Sequence, residues 1–281
     1  MNATQQPGSD QAALWNGGAA SAWVDKQELI DRMFKPLEQR LLEAVKAAGP
    51  HRVLDVGCGT GGTTLAAARL LGAKGHCTGA DISAPMIAVA RARAEREGAP
   101  ASFICGDVQR HAFEPASFDM IISRFGVMFF DDPVAAFANL RQAATSDAQL
   151  RVIAWRSGAE NPFMTTAERA AAPMLPNLPA RRQGGPGQFA FADRERVAAI
   201  LSESGWTGID IQPLDVECTL PERELRGYIA RLGPVGLALQ DTDEHTRARV
   251  VDAVRAAFEP FVHADEVVYT AACWMVSARA A

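Results

Sequence analysis

The stretch Val53-Leu-Asp-Val-Gly-Cys-Gly-Thr-Gly61 decides the fold of this chain. A short apolar run carries one acid, Asp55, and then breaks into glycines. This pattern predicts a buried strand, a tight turn and then a helix. Glycines accept backbone angles that side chains forbid, and they let a ligand lie directly against the main chain. Because the following helix presents free N–H groups, the stretch indicates a nucleotide-type cofactor site at the start of an open α/β sheet.

The glycine spacing alone is compatible with more than one kind of protein. Gly57, Gly59 and Gly62 satisfy G-x-G-x-x-G, the fingerprint of dinucleotide-dependent dehydrogenases. A glycine-rich turn that binds no ligand is the plainest alternative. Asp55 favours a different cofactor, because it precedes the first glycine at a position where a dinucleotide fingerprint usually has an apolar residue.

The composition describes an acidic globular protein. The chain has 281 residues, of which 48% are hydrophobic and 22% are charged, and this length favours one α/β core domain with added cover elements. Its formal net charge of −5 and the lack of a basic cluster argue against nucleic acid as a partner. No apolar stretch reaches the roughly 18–20 residues of a membrane helix, so membrane insertion is not expected.

The N-terminus and the cysteines indicate a cytoplasmic location. The first fifteen residues lack the charged start and the apolar centre of a signal peptide. The five cysteines are odd in number, scattered, and form no C-x-x-C pair, which is typical of a reduced setting. No pattern of metal-ligand residues is visible, so no metal is expected.

Strands and helices alternate between residues 52 and 155, as in a parallel sheet that is covered on both faces. Before this region, apolar residues spaced by four predict a helical segment, and residues 1–48 are interpreted as an N-terminal helical lid. The core domain is assigned to 49–220 and 264–281. Within it, 156–192 is rich in proline and glycine and is predicted to be a flexible cover loop. Residues 221–263 are predicted to be a helical insertion, or cap.

Four motifs in order resemble those of class I S-adenosylmethionine-dependent methyltransferases, including the ubiquinone/menaquinone methyltransferases. The segment 53–61 resembles their first motif. Gly79-Ala-Asp81-Ile-Ser is similar to the ribose-binding end of their second strand, and Cys105-Gly-Asp107-Val to the adenine-binding end of their third. Phe118-Asp-Met-Ile-Ile-Ser-Arg124-Phe-Gly resembles their fourth strand. The resemblance extends roughly from residue 10 to residue 205.

The resemblance implies a fold and a cofactor site. The fold is a doubly wound, Rossmann-like α/β domain with a mostly parallel seven-stranded sheet, an antiparallel last strand and helical cover segments. Asp81 would bind the ribose hydroxyls, although it could instead be a helix-entry acid. Asp107 would accept from the adenine amine, although it could merely cap a turn. The full set of predicted contacts to S-adenosylmethionine is Asp55, Gly57, Cys58, Gly59, Gly61, Asp81, Ile82, Met86, Gly106, Asp107, Val108, Ser123, Trp15 and Trp23.

The sequence gives less specific signals for the part of the site that would bind the methyl acceptor. Trp15 and Trp23 belong to a segment that covers the cofactor in similar enzymes, and ordinary core packing is an equally good interpretation of them. The candidates for the acceptor pocket are Arg124, Phe125, Phe129 and Asn161. His263 is the only histidine offered as a catalytic base, and nucleophiles such as amines, thiols or stabilised carbanions need no such base.

The sequence therefore predicts an enzyme that moves a methyl group from S-adenosylmethionine to a small, partly apolar molecule by in-line displacement. The first alternative is an NAD(P)-dependent oxidoreductase, which lacks support because the chain has no Tyr-x-x-x-Lys pair around Tyr228 or Tyr269. The second is a protein of the same fold that binds without methylating. The sequence leaves a homodimer open and does not identify the acceptor.

Overall fold

The computed structural model describes residues 9–178, 181 and 185–280. Residues 1–8 of the predicted lid lie outside the described residues, as do 179–180 and 182–184 of the predicted cover loop.

Helices and strands alternate through the first two thirds of the chain. In chain order the elements are α1 (Ser9–Asn16), α2 (Gly18–Asp25), α3 (Gln27–Met33), α4 (Lys35–Ala48), β1 (Arg52–Val56), α5 (Gly62–Leu71), β2 (His76–Asp81), α6 (Ala84–Glu97), β3 (Ala101–Cys105), β4 (Phe118–Arg124), α7 (Pro133–Ala143), β5 (Ala144–Trp155), α8 (Pro162–Ala171), α9 (Arg194–Glu203), β6 (Trp206–Pro221), α10 (Glu222–Arg231), α11 (Gly233–Ala238), α12 (Glu244–Ala257), β7 (Val262–His263) and β8 (Glu266–Ala280). Single 3-10 turns lie at Gly72–Lys74, Gly126–Phe129, Leu239–Asp241 and Glu259–Phe261.

The strands of the described residues form one mixed sheet in the order β3-β2-β1-β4-β5-β8-β6, and β7 adds a two-residue pairing to β8. Strands β1 to β5 are mutually parallel, and β8 runs antiparallel to both β5 and β6. The predicted fold class, including the antiparallel last strand, is confirmed. The strand order reverses beside β1, so the carboxyl ends of β1, β2 and β4 open on the crevice where ligands bind in such sheets.

Capping residues define the boundaries of α6 and α7, the helices that follow β2 and β4. Ser83 caps α6 by accepting a hydrogen bond from the Met86 amide, and Gly98 ends it in the left-handed conformation. Asp132 caps α7 with proline at its first position. Because capping is a local interaction, residues close in sequence define these helix boundaries.

The N-terminal segment is divided more finely than predicted. The chain turns at Gly17, Lys26 and Phe34, so residues 9–48 form four helices. Of these, α4 packs against α5, β4 and β5 and belongs to the core, whereas α1 to α3 line the ligand cavity described below. We call α1–α3 the lid because these three helices line the cavity, and the role of residues 1–48 as a lid stays a prediction.

The cap consists of α8 and α10–α12. Strands β6 and β8 pair from Trp206 with Ala280 to Pro221 with Glu266, and the helices α10–α12 are inserted between them. Phe163 of α8 joins this insertion to the sheet, because its ring stacks on Tyr269 at 3.9 Å between centroids and meets Phe258 edge-on at 5.1 Å. The predicted insertion at 221–263 is thus packed as a second cover beside the lid.

Candidate active site

One cavity of about 950 Å³ lies at the carboxyl ends of the strands, beneath the lid and the cap. Its walls come from the glycine turn after β1, from the ends of β2 to β5, and from the helices of both covers. This volume is at the upper end for small-molecule sites, so it can hold a nucleoside-sized cofactor together with a second molecule.

The glycines of the turn have different tasks. Gly57, Gly59 and Gly61 all have positive φ, at 67°, 55° and 83°. A Cβ on Gly57 would lie 2.4 Å from Gly126 Cα, so Gly57 is where two backbone segments touch. A Cβ on Gly59 would meet only Met86 Sδ, at 3.6 Å, and Gly59 lines the cavity. Gly57 therefore allows the segment after β4 to pack against the end of β1, whereas Gly59 leaves room for a ligand against the main chain.

Asp55 lies under the turn and does not line the cavity. Its carboxylate is fully buried and accepts a 2.6 Å hydrogen bond from Thr64 Oγ1 of α5. Burial raises the pKa of Asp55 to about 7, while the Thr64 hydrogen bond and the charge of Arg124 act in the opposite direction. This acid connects β1 to the first turn of α5 and so fixes the position of the glycine turn.

Asp81 ends β2 and faces the cavity. Its Oδ2 accepts from the Gly59 amide at 2.8 Å, and its Oδ1 accepts from the Ser83 amide at 2.9 Å. Burial raises the pKa of Asp81, and the backbone hydrogen bonds from Ser83 and Gly59 oppose that rise. The two interpretations of Asp81, a ribose-binding acid and a helix-entry acid, are compatible. Its carboxylate lines the cavity and also holds the start of α6.

The end of β3 supplies Gly106, Asp107 and Val108 to the same wall. Asp107 Oδ1 accepts from the Gln109 amide at 3.0 Å, which closes a local turn. Asp107 therefore caps a turn, as the alternative interpretation proposed, and still lies at the cavity. Ile82 and buried Met86 complete this side.

Several predicted contacts do not line the cavity. Ser123 is buried, donates to the Val56 carbonyl at 2.7 Å and accepts from the Gly126 amide, so it ties β4 to β1. Asn161 is buried and bonds to both the carbonyl and the amide of Ala272, which fixes the start of α8 on β8. The others that the structure places outside the lining are Asp55, Cys58, Gly61 and His263. His263 is exposed in the β7–β8 hairpin, so the structure does not bring the predicted base to the site.

Aromatic rings line the other half of the cavity. Phe125 stacks on Trp155 with centroids 4.4 Å apart, and Phe34 meets both rings edge-on. Near the entrance, Trp15 meets Phe129 at 5.1 Å and Trp23 at 6.1 Å. Both lid tryptophans therefore line the cavity, as do Arg124, Phe125 and Phe129 from the predicted acceptor set.

The sequence prediction missed several residues of this half. Trp155 could have been found, since it ends a predicted strand and the carboxyl ends of parallel strands share one edge. Phe34 had no such signal, because it lies between two helices and its direction depends on how α4 packs. Other missed residues come from the covers and include Phe163, Met164, Glu168, Arg181, Phe189 and Tyr228.

The lid is attached to the cofactor side of the site through Asn16 at the end of α1. Asn16 Nδ2 donates to the Ile82 carbonyl at 3.1 Å, and Asn16 Oδ1 accepts from the Ala84 amide at 2.9 Å. The lid also meets the cap through ion pairs of Asp25 with Arg231 and of Lys26 with Glu224. These contacts hold the lid across the cavity entrance.

Asn16→Ala should loosen this attachment. The variant loses both hydrogen bonds, and we expect lid docking to weaken by roughly 1–2 kcal/mol. Hydrogen exchange of the α1 amides should accelerate, while exchange in β1 stays unchanged. Asn16→Asp, which keeps the acceptor for the Ala84 amide, should have an intermediate effect. Equal α1 protection in the wild type and in Asn16→Ala would contradict the proposed attachment.

The described residues contain neither a membrane-spanning helix nor a metal-binding cluster. None of the helices within 9–178 and 185–280 has the length and apolar character needed to cross a bilayer. In the same residues, no group of three or more histidine, cysteine, aspartate or glutamate side chains is arranged to hold a metal ion.

Comparison with known proteins gives the class of this domain. Residues 53–147 match the family described as a methyltransferase domain. The aklanonic acid methyltransferase DauC of Streptomyces sp. (strain C5) is 35% identical over 133 residues, which are 46% of this chain and 60% of that protein. The ubiquinone/menaquinone biosynthesis C-methyltransferase UbiE of a Bradyrhizobium strain is 35% identical over 100 residues, which are 35% of this chain and 40% of that protein. The alignments thus span less than two thirds of the length of these relatives.

A solved structure from work on the conversion of a disulfide bond into a thioacetal group during echinomycin biosynthesis has the same fold. Its TM-score is 0.56 at 20% identity, and the match covers 85% of this chain and 80% of that one. Residues 53–147 thus form a methyltransferase domain, and the resemblance of the motifs is confirmed.

Proposed function

We propose that this chain transfers the methyl group of S-adenosylmethionine to a small, partly apolar molecule. The observation that carries the proposal is that one cavity joins two chemically different halves. One half has the glycine turn with Asp81 and Asp107, and the other has the rings of Phe125 and Trp155. A polar half suits a nucleoside, and a half with stacked rings suits an apolar acceptor.

The residues of the polar half fit the cofactor. Gly59 and Gly106 leave open space against the backbone, since a Cβ at either would meet no atom closer than 3.5 Å. Asp81 and Asp107 offer carboxylates for hydroxyl and amine donors, and Ile82 and Met86 offer an apolar surface. Bound there, S-adenosylmethionine supplies an activated methyl group on a sulfonium centre. The contribution of the chain is to position the two reactants and to exclude water.

Both covers support this role. The lid contributes Trp15 and Trp23, and the cap contributes Phe163 and Tyr228, so the aromatic half is enclosed by elements outside the sheet. Such covers usually open to admit reactants and close for the reaction. Three points remain predictions from the sequence. The chain is expected to have no nucleic-acid partner and to be cytoplasmic, and a homodimer is left open.

Ligands released from the purified protein test the proposal directly. Mass spectrometry should find S-adenosylmethionine or S-adenosylhomocysteine. A nicotinamide dinucleotide in their place would instead favour the oxidoreductase alternative. Methyl transfer itself is then tested by supplying S-adenosylmethionine with small-molecule extracts and searching for products heavier by one CH2.

Asp81→Ala should weaken binding of S-adenosylhomocysteine by roughly 2–3 kcal/mol, the range for charge-assisted hydrogen bonds. Isothermal titration calorimetry measures the loss. Asp119→Ala is the matched control, because Asp119 also accepts from two backbone amides, those of His51 and Arg52, but at the opposite end of β1. Equal affinities of the two folded variants would remove Asp81 from the cofactor site.

A further inference from the structure

Arg124, at the carboxyl end of β4, has an unusual position in the cavity wall. Its Nη1 is buried and has no hydrogen-bond partner among the residues that the structure describes. Its guanidinium carbon lies 5.7 Å from the centre of the Phe34 ring. No ion pair to Arg124 exists in that part of the chain, whereas Arg181 and Arg231 of the same cavity are paired with Glu168 and Asp25.

Arg124 is half-buried as a whole, and leaving its buried Nη1 without a hydrogen-bond acceptor is costly. Because Arg124 lines the cavity, a ligand bound there can supply the missing acceptor. An anionic oxygen is the natural partner of a guanidinium, since the planar donors of arginine match its lone pairs.

The surroundings of Arg124 suit a flat ligand. Phe125 and Trp155 stack almost in parallel, with 7° between their planes, and Phe34 stands against both. These rings belong to β4, β5 and the start of α4. In the sheet order β3-β2-β1-β4-β5, they lie on the opposite side of β1 from Asp81 and Asp107. Arg124 thus belongs to the half of the cavity that remains for the acceptor.

The lining of the cavity also indicates an acceptor that arrives ionised. No histidine lines it within the described residues, and each lining carboxylate already accepts hydrogen bonds. Asp81 bonds to the amides of Gly59 and Ser83, Asp107 to that of Gln109, and Asp193 to those of Glu195 and Arg196, while Glu168 is held by Arg181. A carboxylate, phenolate or enolate needs no proton removed by the protein.

We propose that Arg124 binds the anionic oxygen of the acceptor, and that the acceptor is a flat aromatic carboxylate, phenolate or enolate. This inference rests on the proposed function. The carboxylate of the cofactor's own methionine moiety has the same chemistry, so an experiment must separate the two sources of the anion.

Binding of matched ligand pairs to the protein saturated with S-adenosylhomocysteine tests the acceptor. The probes are two carboxylate–amide pairs: 2-naphthoate with 2-naphthamide, and anthraquinone-2-carboxylate with its amide. Calorimetry or tryptophan fluorescence measures their binding. The wild type should bind the carboxylate of at least one pair more tightly than the amide by roughly 10- to 100-fold, the value of one charge-assisted hydrogen bond. No preference in either pair, including no binding of any probe, overturns the inference without the need for a variant.

Variants assign the preference to this residue. Arg124→Met should abolish it, and Arg124→Lys should keep part of it. Arg231→Met, which removes an arginine of the same cavity that is already paired, should retain it. A preference that survives in folded Arg124→Met also overturns the inference.

A second binding experiment tests whether Arg124 contacts the cofactor. It compares S-adenosylhomocysteine with 5′-methylthioadenosine, which lacks the amino-acid carboxylate. Both should bind Arg124→Met as they bind the wild type. If Arg124→Met loses affinity only for S-adenosylhomocysteine, Arg124 serves the cofactor and the inference is wrong. If the wild type binds neither nucleoside, the proposed function fails and this inference fails with it. Tight nucleoside binding without a carboxylate preference contradicts this inference alone.

Discussion

Gly57→Ala is expected to lower the free energy of unfolding by roughly 2–5 kcal/mol and to abolish cofactor binding. The residue has a φ of 67°, which penalises any side chain. In addition, the new methyl group would lie 2.4 Å from Gly126 Cα, and a Cβ added to Gly126 would likewise lie 2.4 Å from the Val56 carbonyl oxygen. Because the obstacle is backbone, relief requires β1 and the segment after β4 to separate.

Two other glycines separate the steric and conformational effects. Gly49 has a similar φ of 61° with nothing within 4 Å of a Cβ, so Gly49→Ala should cost only about 1–2 kcal/mol. Gly59→Ala should cost a similar amount of stability, because its Cβ would meet only Met86 Sδ, yet it should impair cofactor binding. Urea unfolding measures the first quantity and calorimetry with S-adenosylhomocysteine the second. If Gly57→Ala is no less stable than Gly49→Ala, the close contact with Gly126 is not structurally important.

The elements around the site were predictable where local interactions define them. The glycine turn, the caps at Ser83 and Asp132 and the acid at the end of β2 depend on neighbours within a few residues. The partner of Gly57 was not predictable, because Gly126 is distant in sequence and the contact exists only after β1 and β4 pair. Ser123 shows the same limit, since its place at the end of a strand suggested a ligand contact but its hydroxyl binds the Val56 carbonyl.

The covers were predictable as helices but not as surfaces. The four-residue spacing of Leu37, Leu41 and Val45 indicates an amphipathic helix, and it does not tell which layer that helix faces. In the structure all three are buried and α4 lies on the sheet, whereas α1–α3 reach the cavity. Likewise, the pairing of Arg181 and Arg231 and the isolation of Arg124 depend on side chains that converge from separate elements. Which charged side chains of a cavity are paired can therefore be seen only in the three-dimensional structure.

Asp55 should make the stability of the protein depend on pH. Burial raises the pKa of Asp55 from 3.8 to about 7 in the folded state. Between these values the folded chain holds a proton that the unfolded chain has released, so stability falls as the pH rises from about 4 to about 7. The total loss from this group alone is roughly 4 kcal/mol, and it is complete above pH 7.

Asp55→Asn isolates this contribution, because asparagine does not titrate and its carbonyl oxygen can still accept from Thr64 Oγ1. Urea unfolding across pH 4 to 7 should show a decline in the wild type relative to the variant. Other shifted groups, such as Asp81 and Glu160, are common to both proteins, so their contributions cancel in the comparison. Thr64→Val removes the hydrogen bond that lowers the pKa of Asp55, so the decline should begin at the same pH and extend to higher pH. Parallel stability profiles of the wild type and Asp55→Asn over this range would show that Asp55 is already ionised in the folded protein at low pH.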